Sequence, residues 1–281
     1  MLLSRKNYEK VKELYHSFYR PYRYLHFHVS GEASRARTLK NKFNGKRCFI
    51  IGNGPSIKQQ DLTLLRDDFT FVTNWFAVHE NYEAISPNFY CILDHFTFGG
   101  WETPNLDRDL YGLMQERAKT TVKFFPYRFK EYIEKNRLFD REIIYYLLYE
   151  PIVTKQIWLK GTANLDLTKA LYSGQNVITG FCIPIAYYLG FREIYLVGCD
   201  SDYGMENKND DRSYFYEFKK SMPGPSYEFL KESWKEGGPL FASYEVMKRI
   251  LDKRGCLVFN ATKGGKLEVF PRVVYEDVVQ Y

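Results

Sequence analysis

Short apolar runs, each stopped by a turn residue and separated by spacers of helical length, set the rhythm of the chain from residue 46 onward. Residues 47–51, 69–73, 88–93, 121–125, 193–200 and 256–259 are continuous apolar runs without alternation, which predicts parallel strands buried on both faces. Residues 142–149 share that character and fit strand or helix, ending at Pro151. Between the runs, residues 161–173 predict a helix closed by Gly174. Val177–Gly180 opens a buried helix that carries Pro184 in its first turn and ends at Gly190. Phe241, Tyr244, Met247, Ile250 and Leu251 fall on one face of a further helix, and residues 264–270 predict an edge strand. The fold class implied is α/β: a Rossmann-like, mostly parallel sheet with helices on both faces.

Two segments break the rhythm. Residues 1–45 are crowded with Lys, Arg, Tyr and His, with Tyr8, Val11, Leu14, Tyr15 and Phe18 at helical spacing, and read as a basic, aromatic helical appendage to a domain spanning 46–281. Such a helix packs on the domain, on a partner chain or on an anionic membrane. Residues 201–239 are charged, Tyr-rich and punctuated by Gly and Pro, and read as a lid, because a long irregular insertion in an α/β domain is more often functional than filler.

The first strand runs into Gly52-Asn53-Gly54-Pro55-Ser56. Two glycines permit a sharp turn and close approach of a ligand, and Ser56 with Gln59 matches a capping box, so the helix amides that follow are expected to favour an anionic group.

Composition narrows the classes. A chain with 45% hydrophobic and 26% charged residues is globular. The 24 tyrosines pair ring area with a hydroxyl suited to sugars and phosphates. A net charge of +6 without a concentrated basic stripe favours acidic substrates or an anionic surface over nucleic acid. Five cysteines without a Cys-x-x-Cys pair read as reduced core thiols of a cytoplasmic protein, peripheral at the inner membrane if the basic segment docks there. No secretory signal is visible at the start, and the longest apolar stretch, 181–191, is too short to span a bilayer.

Five strand candidates end in a small polar or acidic residue: Asn53, Asn74, Asp94, Asp200 and Asn260. Ligands of open parallel sheets bind outside the carboxyl ends of the strands, so these side chains are expected to converge on one pocket. The spacing excludes a dinucleotide fingerprint, which needs a third glycine, and a Walker loop, which needs Gly-Lys-Ser/Thr. The five histidines are dispersed, so no catalytic zinc or other metal site is expected.

The Ile-Ile-Gly-Asn-Gly-Pro-Ser segment, Asn74, Ile178-Thr179-Gly180 and Leu-Gly-Phe-Arg-Glu-Ile-Tyr-Leu-Val-Gly-Cys-Asp ahead of a Tyr-rich loop together resemble the bacterial CMP-sialic acid-dependent sialyltransferases of Campylobacter type. They equally resemble the wider group of motility accessory factors and archaeal hydroxymethyldihydropterin pyrophosphokinases, the MptE-like proteins. Asn260-Ala-Thr-Lys-Gly-Gly is similar to the Asn-Ala-Thr-Glu-Gly-Gly motif of the motility accessory factors, with Lys263 in place of an acid. The resemblance spans about residues 46–265. It implies a GT-A-like variant of the Rossmann sheet with a lid and a bound cytidine nucleotide. Asn53, Gly54 and Ser56 would meet phosphate and ribose; Gly52 and Pro55 of the same loop, and Asp94, Asp200 and Asn260 from their strand-end positions, complete the expected donor-binding set. Asn74 would meet nucleotide or sugar, and Thr179 with Gly180 the sugar carboxylate. Tyr203, with Tyr214 or Tyr216, would hold the departing phosphate. Two departures stand out: residues 201–239 lack the lid histidine of the sialyltransferases, and Asn176 stands where they carry an arginine.

The activity implied is inverting, metal-independent transfer of an acidic sugar (sialic acid, another nonulosonate or a Kdo-like sugar) from a CMP-activated donor, itself a substrate, to a surface glycan or glycolipid. The base for the acceptor hydroxyl lies between His95 at a strand end and a lid carboxylate such as Glu232 or Glu236. Three readings stay open beside it: a pterin pyrophosphokinase, a metal-dependent transferase gripping a divalent ion with Asp200 and Asp202, and a non-catalytic nucleotide-sugar-binding module. Homo-oligomerisation is left open too.

Overall fold

The computed structural model describes residues 19–93, 108–150, 163–172, 174, 176–202, 215 and 238–279. Its seven strands are β1 (Arg47–Ile51), β2 (Thr70–Thr73), β3 (Phe89–Cys91), β4 (Val122–Pro126), β5 (Ile144–Leu147), β6 (Glu193–Val197) and β7 (Leu257–Asn260). They form one sheet in the order β5-β4-β3-β2-β1-β6-β7, and every pairing is parallel. The ambiguous run at 142–149 is therefore an edge strand.

Successive residues of each strand face opposite sides, so one short run builds two cores. Cys48 and Ile50 join Phe71, Phe124, Ile194 and Leu196 under the helices Ile183–Leu189 and Pro239–Asp252. Phe49 and Ile51 join Val72, Tyr90, Phe125, Tyr195 and Val197 on the other face, with Leu62, Leu65 and Met114 above them. Burial on both faces explains why the runs are continuously apolar. The seventh pairing partner of this logic, β7, is exposed at Leu257, as an edge strand allows.

The segment expected as an appendage contributes to both cores through its described part. Phe27 and Ala33 enter one cluster, Ala36 and Leu39 the other. Its charges are used internally: the buried carboxylate of Glu32 pairs with Lys130 Nζ at 2.9 Å and with the Arg141 guanidinium. Arg35 donates to the carbonyls of Arg141, Glu142 and Ile144, sealing the start of the β5 edge.

Three local expectations are corrected. Residues 163–172 form a bridged turn instead of a helix, because Asn164 Nδ2 donates to the carbonyls of Asp166 and Ala170, while Asp166 Oδ1 accepts from Thr168 N and Oγ1. Those side-chain bonds satisfy the backbone locally and displace the helical ladder. Residues 264–270 add no strand. The Arg272 guanidinium donates to the carbonyls of Thr262, Gly264 and Gly265, leaving a single bridge between Asn260 and Arg272. The Ser56–Gln59 capping box does not form: Pro55–Gln59 is a 3-10 turn whose N-cap is Gly54, without a side-chain cap.

Lys123 on β4 is buried, its Nζ donating to the carbonyls of Thr121 at 3.0 Å and of Ala118. Burial pushes this ammonium down to about 8, with Asp140 opposing the shift. The unfolded chain therefore holds more protons than the native one above pH 8 and up to the ordinary lysine range, so native stability rises with pH across that window. Lys123→Met is expected to remove that rise, which denaturant melts at pH 7.5, 8.5 and 9.5 will report as a wild-type slope missing from the variant (pH values approximate).

Candidate functional site

Chain order reverses direction across the sheet between β1 and β6, since β2 to β5 lie on one side of β1 and β6 with β7 on the other. A crevice at such a switch point is where open α/β sheets bind ligands. The loops leaving β1 and β6 are packed tightly there. Gly52 N donates to Val197 O at 2.8 Å and Gly54 N to Gly198 O at 2.9 Å. A Cβ on Gly52 would come closer than 3.0 Å to Gly198 O, and one on Gly54 would collide with the Asp200 carboxylate. The bare glycines expected to admit a ligand thus admit the neighbouring loop.

The carboxylate of Asp200 occupies the start of the 3-10 turn. Ser56 N donates to Asp200 Oδ1 at 3.2 Å and Ser56 Oγ to Asp200 Oδ2 at 2.7 Å. Burial raises the Asp200 pKa above the ordinary carboxylate value, the two Ser56 bonds oppose that, and Asp202 adds to it. Asp202 itself pairs with Lys266 Nζ at 3.1 Å, and Lys266 N donates to Asp200 O at 2.7 Å. The anion expected at this turn is, in this structure, the protein's own side chain.

Asn53 lies beside it. Its Nδ2 donates to Thr73 O at 3.2 Å, and its backbone carbonyl accepts from Phe215 N at 2.9 Å. Its Oδ1 is buried and has no partner among the described residues. An amide oxygen left in that state calls for a donor from outside. Asn74 follows β2 with φ +40°, a conformation that Asn tolerates, and its Oδ1 accepts from Leu93 N at 3.3 Å at the end of β3. A Cβ on Gly180 would touch Leu93 Cδ2, so Asn74 and Gly180 flank the same residue.

Thr179 and Asn260 are engaged elsewhere. Thr179 is fully buried: its N and Oγ1 donate to Asn176 Oδ1, and its Oγ1 lies 2.9 Å from Ser243 Oγ, joining the start of one helix to another. Asn260 Nδ2 donates to Leu267 O and its Oδ1 accepts from Thr262 N. Thr262 Oγ1 in turn accepts from Cys199 N at 3.0 Å, so Asn-Ala-Thr braces the β6 loop that carries Asp200. The structure brings Gly52, Asn53, Gly54, Pro55, Ser56 and Asp200 together and sets Asn74 and Gly180 around Leu93. Asp94, His95, Tyr203, Tyr214, Tyr216, Glu232 and Glu236 lie outside the described residues.

Some participants escaped the sequence reading. Gly198 at φ +65° and Gly265 at φ +74° shape the Asp200 loop, a Cβ on Gly265 coming within 2.7 Å of Asp200 Cα. Phe215 sits against Phe76 and His79, with ring centroids 5.8 and 4.9 Å away. The glycine pair 264–265 was the available signal; nothing in the sequence marked Phe215. Among the described residues no three His, Cys, Asp or Glu side chains cluster as a metal site.

These features define a Rossmann-like parallel α/β protein whose β1 and β6 loops pack together at the switch point around Asn53, Ser56 and Asp200. The chain belongs to the family described as 6-hydroxymethylpterin diphosphokinase MptE-like, whose model matches residues 23–206. That match agrees with the resemblance read from the motifs and takes in residues 23–45 of the N-terminal segment. Among solved structures, the sialyltransferase CstII from Campylobacter jejuni, in complex with the substrate analogue cytidine-5′-monophosphate, is similar over 82% of this chain and 85% of its own, at 16% identity and a TM-score of 0.46. No curated protein matches the chain.

Proposed function

We propose that the protein is a nucleotide-dependent transferase that moves an acidic sugar from a CMP-activated donor to a glycan or glycolipid acceptor. The observation that carries this reading is the buried, unpartnered Oδ1 of Asn53 at the switch point. It suits a donor group of a nucleoside, a ribose hydroxyl or the exocyclic amine of the base. In the transfer, the acceptor oxygen attacks the anomeric carbon, the bond from that carbon to the phosphate oxygen breaks, CMP leaves with the electron pair, and the acceptor proton passes to a base. His95 and Glu232 are the proposed candidates for that base, and Tyr203, Tyr214 and Tyr216 for stabilising the leaving phosphate. A phosphate leaving group requires no metal for this step, and none is proposed.

The family description favours a second reading, transfer of diphosphate from ATP to a hydroxymethylpterin. Thermal-shift measurements with CMP, CDP, UDP, GDP and ATP, followed by turnover, separate the two. The expected result is stabilisation by CMP, and CMP release from CMP-N-acetylneuraminate or CMP-Kdo that persists in EDTA. Stabilisation by ATP with AMP release in the presence of the pterin would replace the first reading with the second. Loss of CMP release on chelation, restored by Mg²⁺ or Mn²⁺, would reject the metal-free scheme.

A further inference from the structure

The helix Arg20–Val29 is apolar on the side turned away from the protein. Phe27 is buried, His26 Nδ1 meets Tyr127 OH at 2.6 Å, and Arg23 pairs with Glu150 at 3.0 Å, so those residues mark the docked side. Away from Phe27 and Arg23, Tyr22, Leu25 and Val29 are 60%, 62% and 76% exposed, with the Tyr22 ring stacked on His26 where the two sides meet. Steps of three and four residues set these side chains on one stripe, which no charged residue interrupts. A surface helix usually presents the reverse pattern.

The segment that carries the stripe is one-sided in charge. Residues 1–47 hold twelve Lys and Arg against three Glu, whereas acids outnumber bases in the remainder of the chain. Arg20, Arg37, Lys40, Lys42 and Lys46 are exposed, while Glu32, the one acid between residues 19 and 47, is buried and paired. A second copy would bring a segment of the same charge against this one. An anionic bilayer complements both features: apolar side chains enter the boundary of headgroups and acyl chains, and basic side chains meet the lipid phosphates. Tyrosine is favoured at that boundary. Among the described residues no helix is long and apolar enough to cross a membrane, so the contact is with the surface.

We propose that the outward face of Arg20–Val29 docks the protein on anionic lipid bilayers. This does not rest on the transferase reading, and its test involves no turnover. The full-length protein is sedimented with vesicles of phosphatidylcholine alone and of phosphatidylcholine with phosphatidylglycerol, at low and high NaCl. The expected result is co-sedimentation with the anionic vesicles that falls as salt rises. The combined substitutions Tyr22→Ser, Leu25→Ser and Val29→Ser should lower vesicle partition by about tenfold or more with an unchanged melting temperature, because the three side chains contact little of the fold. Val29→Asp alone should act in the same direction. Equal binding to neutral vesicles, no binding, or binding indifferent to both variants would overturn the proposal. So would a wild-type dimer in size-exclusion chromatography that the triple variant turns into a monomer, since the face would then belong to a second copy.

Discussion

Gly52→Ala is expected to destabilise the protein by about 3 kcal/mol or more and to lower its melting temperature by about 6–12 °C. The methyl group would point at Gly198 O, with Cys199 Sγ 3.2 Å away. That carbonyl has little freedom to yield, because it already accepts from Gly54 N and belongs to a residue at φ +65°. Relief requires β1 and β6 to separate at their carboxyl ends, where Gly52 N is bonded to Val197 O. Gly112→Ala supplies the contrast. Gly112 lies exposed inside the helix Arg108–Arg117, and nothing approaches its added Cβ within 4 Å. That variant should gain about 0.5–1 kcal/mol from helix propensity alone. Chemical denaturation of the two variants side by side tests the assignment; equal, small effects would mean that the β1 and β6 loops are not packed as described.

The contrast bears on what a sequence displays. Strands were legible because a residue buried on both faces must be apolar at every position, and 193–200 could hardly be read otherwise. That the strands end along one edge of the sheet followed from parallel pairing alone. What those side chains bond to was not legible, because the deciding contacts join distant residues: Ser56 to Asp200, Cys199 to Thr262, Thr179 to Ser243. Composition gives Asn260 the same appearance as Asn53, although one is fully engaged in bracing a loop and the other keeps an unpartnered oxygen. The partners of the N-terminal segment were hidden for a related reason. Its spacing allowed packing on the domain but named no partner: Glu32 is balanced by Lys130 and Arg141 from remote parts of the chain, and Arg35 donates to carbonyls at the start of β5. Residues 163–172 show local chemistry overruling pattern: Leu165, Leu167 and Leu171 are buried without helical order, because Asn164 and Asp166 bond the backbone first.

Asp200 is where stability and the proposed ligand binding meet. Asp200→Ala should cost about 2 kcal/mol, since the N and Oγ of buried Ser56 lose their acceptor together. Asp200→Asn keeps an acceptor for Ser56 N and should cost less at neutral pH. The pH dependence distinguishes charge from shape. The Asp200 pKa is raised in the folded protein, so its favourable contribution is complete below the ordinary value of 3.8 and is lost as pH rises through the folded value. The stability of Asp200→Asn minus that of the wild type should therefore climb from acid toward neutral pH and then level off; a difference that stays flat or falls would show that burial does not dominate at this carboxyl group. Removing the carboxylate also frees two donors for an outside anion. Inorganic phosphate or CMP should accordingly restore part of the melting temperature lost by Asp200→Ala, and raise it more than in the wild type, where Ser56 is already held. If neither does, the Ser56 donors are not an anion seat even when vacated, and a nucleotide phosphate would have to sit elsewhere along the rim between Asn53 and Leu93.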